Sequence, residues 1–268
     1  MAAYVAQSVS IHPRAQIDDD VQIGPFCVIG PDVRIGRGTR LESNVTIMGR
    51  VTIGQFNHFY PGAVIGGEPQ DLTYTGADTK VVIGDHNTFR ECVTVNRASE
   101  KEEGSTSIGD HNFLMACSHV GHDCRLGDHI VLANATLLGG HVHVHDRASI
   151  SGSVAVHQYT TVGSFSFVAG LSGVRHDVPP YMLVEGVPAR PRCINVVALK
   201  RNDFSPETID ALAEAHRLLF RAKVGLPGAR EILRSKSLLV PHVNHLLGFL
   251  DNQQEGRHGR GRDRRKAA

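Results

Sequence analysis

Histidines recur in this chain at spacings that would gather them on one wall of a repeating fold. His122, Gly140 and Gln158 lie eighteen residues apart, and so do Asp123, His141 and Tyr159, and Gly121, Gly139 and His157. His119 stands just before the group. An imidazole that titrates near neutrality is the natural general base. An acid beside it fixes its tautomer and stabilises the charged ring, and Asp123 is adjacent to His122. Adjacent strand residues point to opposite faces, so that contact requires local geometry other than a strand. A glycine one layer from His122 leaves its N–H open to a substrate carbonyl, which makes Gly140 a candidate oxyanion donor. A base with an oxyanion donor and no evident nucleophile points to direct acyl transfer onto a hydroxyl. Chance grouping is the competing reading in a chain with 16 histidines.

The eighteen-residue spacing has meaning because the chain keeps a beat of six. Val5, Ile11, Ile17, Ile23, Ile29, Ile35, Leu41, Ile47, Ile53, Phe59 and Ile65 follow one another at that interval. The beat returns at Ile83, Phe89 and Val95, and again from Ile108 through Val168. Helices repeat near 3.6 residues and strands near 2, so neither gives a sustained six. A flat side with one large inward aliphatic residue, followed by a corner, does. Three sides make a triangular coil, and coils stack as parallel strands about 4.8 Å apart. The spacing therefore predicts a β-solenoid. Glycine follows many beats, as at Gly24, Gly30, Gly36 and Gly54, where a corner needs either positive φ or no Cβ.

The beat fails over residues 66–79 and 96–107, which are polar and contain glycine or proline. Both read as loops pushed out from a corner, and loops on a rigid scaffold often carry function. The repeat occupies residues 1–190. Residues 191–254 read as a helical domain: Ser205-Pro206-Glu207 is a helix start, with further helices near 228–236 and 241–251. Residues 255–268 are rich in Gly and Arg and read as a disordered basic tail.

Formal net charge is +1, with six of the 28 Lys and Arg residues in that tail, so a dedicated nucleic-acid binder is not expected. The five cysteines are an odd number without a close pair and predict no disulfide framework. Within the repeat they read as small buried thiols. No signal-like or membrane-spanning stretch stands out, so a cytoplasmic protein without stable membrane insertion is expected. Flat solenoid sides suit association of identical chains.

The stretch Leu114-Met115-Ala116-Cys117-Ser118-His119-Val120-Gly121-His122-Asp123-Cys124 resembles the active-site segment of the UDP-N-acetylglucosamine acyltransferases that start lipid A synthesis. Gln70-Asp71-Leu72, Gly140-His141-Val142, Ala155-Val156-His157-Gln158, Asp177-Val178-Pro179-Pro180-Tyr181 and Leu199-Lys200-Arg201 match in order and spacing. The resemblance implies a left-handed parallel β-helix of hexapeptide repeats with a C-terminal α-helical domain, assembled as a homotrimer. It implies transfer of an (R)-3-hydroxyacyl group from acyl carrier protein to the 3-hydroxyl of UDP-N-acetylglucosamine, with no cofactor and no metal. His122 would be the base, Asp123 its partner and Gly140 the oxyanion donor. His119, His141, His157 and Gln158 would line the site, and Gln70 and Asp71 would reach toward the sugar. Asn195 matches a position near the uracil, Arg201 a substrate contact, and Gly170 a position that limits acyl length.

Three positions depart from the family pattern. Thr73 stands where the first loop usually carries lysine, Asn202 where a second arginine follows Arg201, and Val187-Pro188 where an Asn-His pair follows the glycine. Arg190, Arg192 and Lys200 are candidates to replace the lost cations. The main rival is a zinc lyase like the gamma carbonic anhydrases, for which His141, His143 and His145 would have to face outward together. A sister enzyme using a 3-amino sugar or a coenzyme A donor is a second rival. A purely structural or ice-binding solenoid should show regular threonine ladders, and this chain shows histidines.

Overall fold

The computed structural model describes residues 4–257, 259, 261 and 262. Three parallel sheets run the length of the solenoid. The first, of 11 strands with the last of them antiparallel, starts at Tyr4–Val5, the second, of nine, at Ser10–Ile11, and the third, of eight, at Gln16–Ile17. Register follows the eighteen-residue coil: Val28 pairs with Thr46, His119 with Leu137, and Leu137 with Ala155. The coils form a left-handed parallel β-helix.

The beat residues fill the core. From Ile23 to Val174 they are buried, and Phe59 stacks on Phe89 with ring centroids 4.5 Å apart. Val5 is 51% exposed, because it belongs to the first coil and only one side of it is covered. The third residue after most beats takes left-handed backbone without being glycine, as at Asp123, His141, Tyr159, Cys92 and Cys117. The glycines next to the beats answer a different need. A Cβ on Gly36 would stand 2.6 Å from the Gly54 carbonyl oxygen of the next coil. Close approach, rather than positive φ, is what these glycines provide. The cysteines divide the same way: Cys27 and Cys124 are buried, whereas Cys92 and Cys117 sit exposed at corners.

Both breaks in the beat leave from one corner. Strand Val64–Gly67 of the second sheet precedes the first loop, and Lys80–Ile83 of the third sheet follows it. Strand Thr94–Asn96 precedes the second loop and Ser105–Ile108 follows it. The first expected loop therefore gives up its start and the second both its ends to strands, leaving excursions over residues 68–79 and 97–104. His122 and Asp123 occupy the same corner one coil later.

After the last coil, strands Met182–Gly186 and Ala189–Ile194 form an antiparallel hairpin. Helix α1 (Val196–Arg201) follows, capped by Asn195. Helix α2 (Pro206–His216) starts at Ser205, whose hydroxyl accepts from Thr208 N–H as the sequence predicts. Helices α3 (Leu226–Ser235) and α4 (Pro241–Gln254) pack their apolar faces on α2 through Leu212, Leu233 and Leu246. A 2.6 Å hydrogen bond between Tyr181 Oη and His245 Nδ1 ties α4 to the solenoid end.

The expectation of a disordered tail needs correction over its described part. Gly259 N–H donates to Thr161 Oγ1 at 3.0 Å. The Arg262 guanidinium donates to the carbonyls of His141 and Tyr159 at 2.6 and 3.1 Å, and contacts His143 Nε2. Main-chain carbonyls on the third side, rather than acidic side chains, receive this arginine, so charge pattern alone does not reveal the contact. Residues 258, 260 and 263–268 of that tail lie outside the described residues.

Candidate active site

The corner geometry settles how Asp123 reaches His122. Asp123 has φ +60°, so the chain turns there and both side chains meet. His122 Nδ1 lies 2.8 Å from Asp123 Oδ2. The carboxylate is buried, and the same Oδ2 accepts from Ser99 N–H at 2.9 Å and Ser99 Oγ–H at 2.7 Å. Burial pushes the Asp123 carboxyl up, but its donors from His122 and Ser99 outweigh this and hold it below the usual range. With Nδ1 engaged by the carboxylate, Nε2 is the nitrogen left to take a proton.

That nitrogen faces Gly140. A Cβ there would fall 2.5 Å from His122 Nε2. The stacking expected from the eighteen-residue spacing holds: His141 N–H donates to His122 carbonyl at 2.9 Å, and Tyr159 N–H to Gly140 carbonyl at 3.0 Å. Gly139 and His141 both use their N–H groups in the coil ladder, while the Gly140 N–H has no partner among the described residues.

A cavity of about 730 Å³ opens over this wall. Gln70, Asn96, His119, His122, Gly140, His157 and Gln158 line it, with the outward Leu137 and Ala155 as its apolar floor. His119 bonds Thr94 Oγ1 through Nδ1 at 2.7 Å, and burial, helped by His122, pushes its pKa down. His141 does not line the cavity. It is buried, stacks on Tyr159 at 4.3 Å, and meets the His122 ring edge-on at 5.1 Å.

Three predicted residues lie elsewhere. Gly170 is exposed at the other corner of the second sheet. Asn195 and Arg201 line a separate cavity of about 430 Å³ beside the first sheet, together with Arg147 and Phe167. Asn195 is engaged structurally at both ends of its amide: Oδ1 caps α1 and Nδ2 donates to Phe165 carbonyl at 2.9 Å. Asp71 sits on the first loop behind Gln70. Its carboxylate accepts from Lys101 Nζ at 2.6 Å, and Lys101 with Thr73 holds it far below the usual carboxylate range. The second loop thus brings a cation, Lys101, to Asp71, two positions before Thr73. Arg192 instead pairs with Glu185 at 3.0 Å.

Nothing in the sequence marks Ser99 and Lys101, because both lie in the stretch where the eighteen-residue stacking is interrupted. The outward histidine triplet expected of a zinc lyase does not form. His141 is buried, His143 contacts Arg262, and His145 packs against Phe249. Among the described residues, His122, Asp123 and His141 alone bring three ligand-type atoms within 4.8 Å of one another. In this group the Nδ1–Oδ2 hydrogen bond already engages His122 and Asp123, which is the arrangement of a base and its orienting acid.

The acyl-[acyl-carrier-protein]–UDP-N-acetylglucosamine O-acyltransferase of Thermodesulfovibrio yellowstonii is 44% identical over 252 residues, covering 94% of this chain and 98% of that protein. The chain belongs to the UDP-N-acetylglucosamine O-acyltransferase family. The family model described as UDP-N-acetylglucosamine O-acyltransferase, domain 2, matches residues 177–260. A model described as the GMPPB C-terminal domain matches residues 5–101, the early coils. Among solved O-acyltransferase structures, that from Bacteroides fragilis superposes with a TM-score of 0.89 at 33% identity, covering 92% of this chain and 97% of that one. The Francisella novicida enzyme gives 0.86 at 40% identity, covering 91% and 89%.

Proposed function

We propose that this protein transfers an (R)-3-hydroxyacyl group from acyl carrier protein to the 3-hydroxyl of UDP-N-acetylglucosamine, the first step of lipid A biosynthesis. The observation that carries the reading is the His122–Asp123 pair at 2.8 Å with Nε2 set against Gly140 in an open cavity. His122 Nε2 takes the proton of the sugar hydroxyl as its oxygen attacks the thioester carbonyl. The Gly140 N–H receives the developing oxyanion. As the tetrahedral species collapses, the C–S bond breaks and the imidazolium returns its proton to the leaving thiolate. Asp123 stabilises that imidazolium throughout. No acyl-enzyme forms in this scheme.

His119, His157 and Gln158 then flank the reacting groups, His141 supports His122 from beneath, and Gln70 and Asp71 approach the sugar. The apolar strip of Leu137 and Ala155, which pairs in turn with Gly173, leads toward the Gly170 corner and suits an acyl chain. Asn195 and Arg201 lie on a different side from His122, so a site using both sets draws them from neighbouring copies. A homotrimer in the cytoplasm is the assembly we propose, each chain divided into a solenoid over residues 1–190 and a helical region over 191–254. Among the described residues no helix is long and apolar enough to cross a membrane.

The test is acyl transfer from (R)-3-hydroxyacyl carrier proteins of several chain lengths to UDP-N-acetylglucosamine, comparing wild type with His122→Ala. Turnover lost in a correctly assembled mutant supports the reading. Equal turnover in both, or none with any donor, refutes it.

A further inference from the structure

The second loop reaches into the site from behind. Ser99 is fully buried, and both its N–H and its hydroxyl point at one atom, Asp123 Oδ2. That oxygen is the one His122 Nδ1 meets. The other oxygen, Oδ1, is buried without a hydrogen-bond partner among the described residues. Three donors therefore converge on one side of the carboxylate, two of them from a single serine. Thr106, where the loop rejoins the solenoid, accepts the Asp123 N–H at 2.8 Å through its hydroxyl. The loop thus grips the Asp123 side chain, and the strand that follows it grips the Asp123 backbone.

We infer that Ser99 is a positioning residue for the general base: it holds the plane of the Asp123 carboxylate against His122 and tempers the charge that the shared oxygen presents to the imidazole. The argument rests on the acyl-transfer reading for its consequence in rate, but not for its structural content. A carboxylate rotates readily about its terminal bond. In a dry pocket, two donors from a buried serine hold that rotation at one angle, so the carboxylate plane stays aligned with His122 Nδ1. Each donor also withdraws charge from Oδ2, so Asp123 holds the imidazolium less tightly than an undonated carboxylate would. The other ionisable groups facing this pair are few. His141 stands on the next coil with Nε2 at 3.8 Å from Oδ2, Glu102 of the same loop lies 3.4 Å from His141 Nδ1, and His119 sits beside His122 on the second sheet. None of these makes a hydrogen bond to Asp123.

Removing only the hydroxyl keeps the backbone donor and the loop in place. Ser99→Ala should make Asp123 more basic toward the imidazole, so the titration observed for His122 should move to higher pH. kcat/KM at neutral pH should fall about tenfold, the scale of one charge-assisted hydrogen bond. Ser99→Thr, which keeps the hydroxyl, should restore both. The decisive measurement is NMR titration of the ring signals of His122 in the full-length protein, assigned by their loss in His122→Ala. It needs no turnover, so it remains informative even if the assigned reaction is wrong. An upward shift in the alanine variant that threonine reverses supports the inference. An unshifted His122 in a folded Ser99→Ala protein overturns it. So does a loss of rate that threonine fails to rescue without any shift, because that pattern belongs to loop packing alone.

Discussion

Adding one methyl group at Gly140 tests the placement of the base most sharply. Gly140 is not among the positive-φ positions, so alanine is compatible with its backbone. Its N–H is kept, and with it the oxyanion donor. The new Cβ would lie 2.5 Å from both Nε2 and Cε1 of His122. Ordinary contact begins near 3.5 Å, so the ring must retreat by about 1 Å. The Nδ1–Oδ2 distance of 2.8 Å leaves little slack for that movement. A hydrogen bond stretched by such a shift lies outside the productive range. A misplacement of about 1 Å at a reacting group costs on the order of a hundredfold in rate. Gly140→Ala should therefore lower kcat about a hundredfold, with the fold and the donor KM little changed. Steady-state acyl transfer at saturating sugar nucleotide, with circular dichroism to check the solenoid, measures this. A variant with kcat within about twofold of wild type would refute the reasoning, because the base could not then be held against Gly140.

Two further perturbations probe the surroundings of the site. Lys101→Met removes the ammonium that pairs with Asp71 and should return that carboxyl toward its ordinary range, raising the sugar-nucleotide KM severalfold while kcat holds; an unchanged KM would show that this loop-to-loop pair is not part of binding. Burial pushes the Asp177 carboxyl up to about 6, against the Thr161 N–H and Arg262, which pull it down. The folded protein thus keeps a proton that the unfolded chain releases near pH 4, so stability should fall as pH rises from roughly 4 to 6. Asp177→Asn should abolish that component of the slope in denaturant melts, and an identical slope in the mutant would contradict the assignment.

What the sequence reveals here follows from which features repeat. The six-residue beat names the inward side chain of each solenoid side from Ile23 to Val174, while the core residues between them, such as Val21, Cys27 and Val45, follow each beat by four places and the helical core lies outside it. Eighteen-residue arithmetic likewise places His122, Gly140 and Gln158 in one column. The contact between His122 and Asp123 was not derivable, since strand alternation argues against it and only the left-handed turn at Asp123 reverses that argument. Ser99 and Lys101 lie on a loop without period, and nothing local marks serine or lysine as facing inward. Asn195 and Arg201 look like members of the same site in sequence, yet they sit beside the first sheet, because the helical region leaves the solenoid at its last coil. The Arg262 contact depends on the tail folding back across more than a hundred residues of chain, to carbonyls that every residue type supplies.

Both excursions depart from a single corner, and each coil pairs only with its immediate neighbours. Val64 pairs with Thr94 and Thr94 with His119, so the strands close over segments of different length and resume in phase. Lengthening such a segment costs only loop closure, about 0.6 kcal/mol for each doubling. The fold thereby separates inheritance of the base from inheritance of what it acts upon. Insertions and replacements at that corner can drift through evolution, or be exchanged by graft, while the layers carrying His122 and Gly140 keep their alignment. Diversity among descendants of this architecture should gather at one edge, leaving the other two edges monotonous.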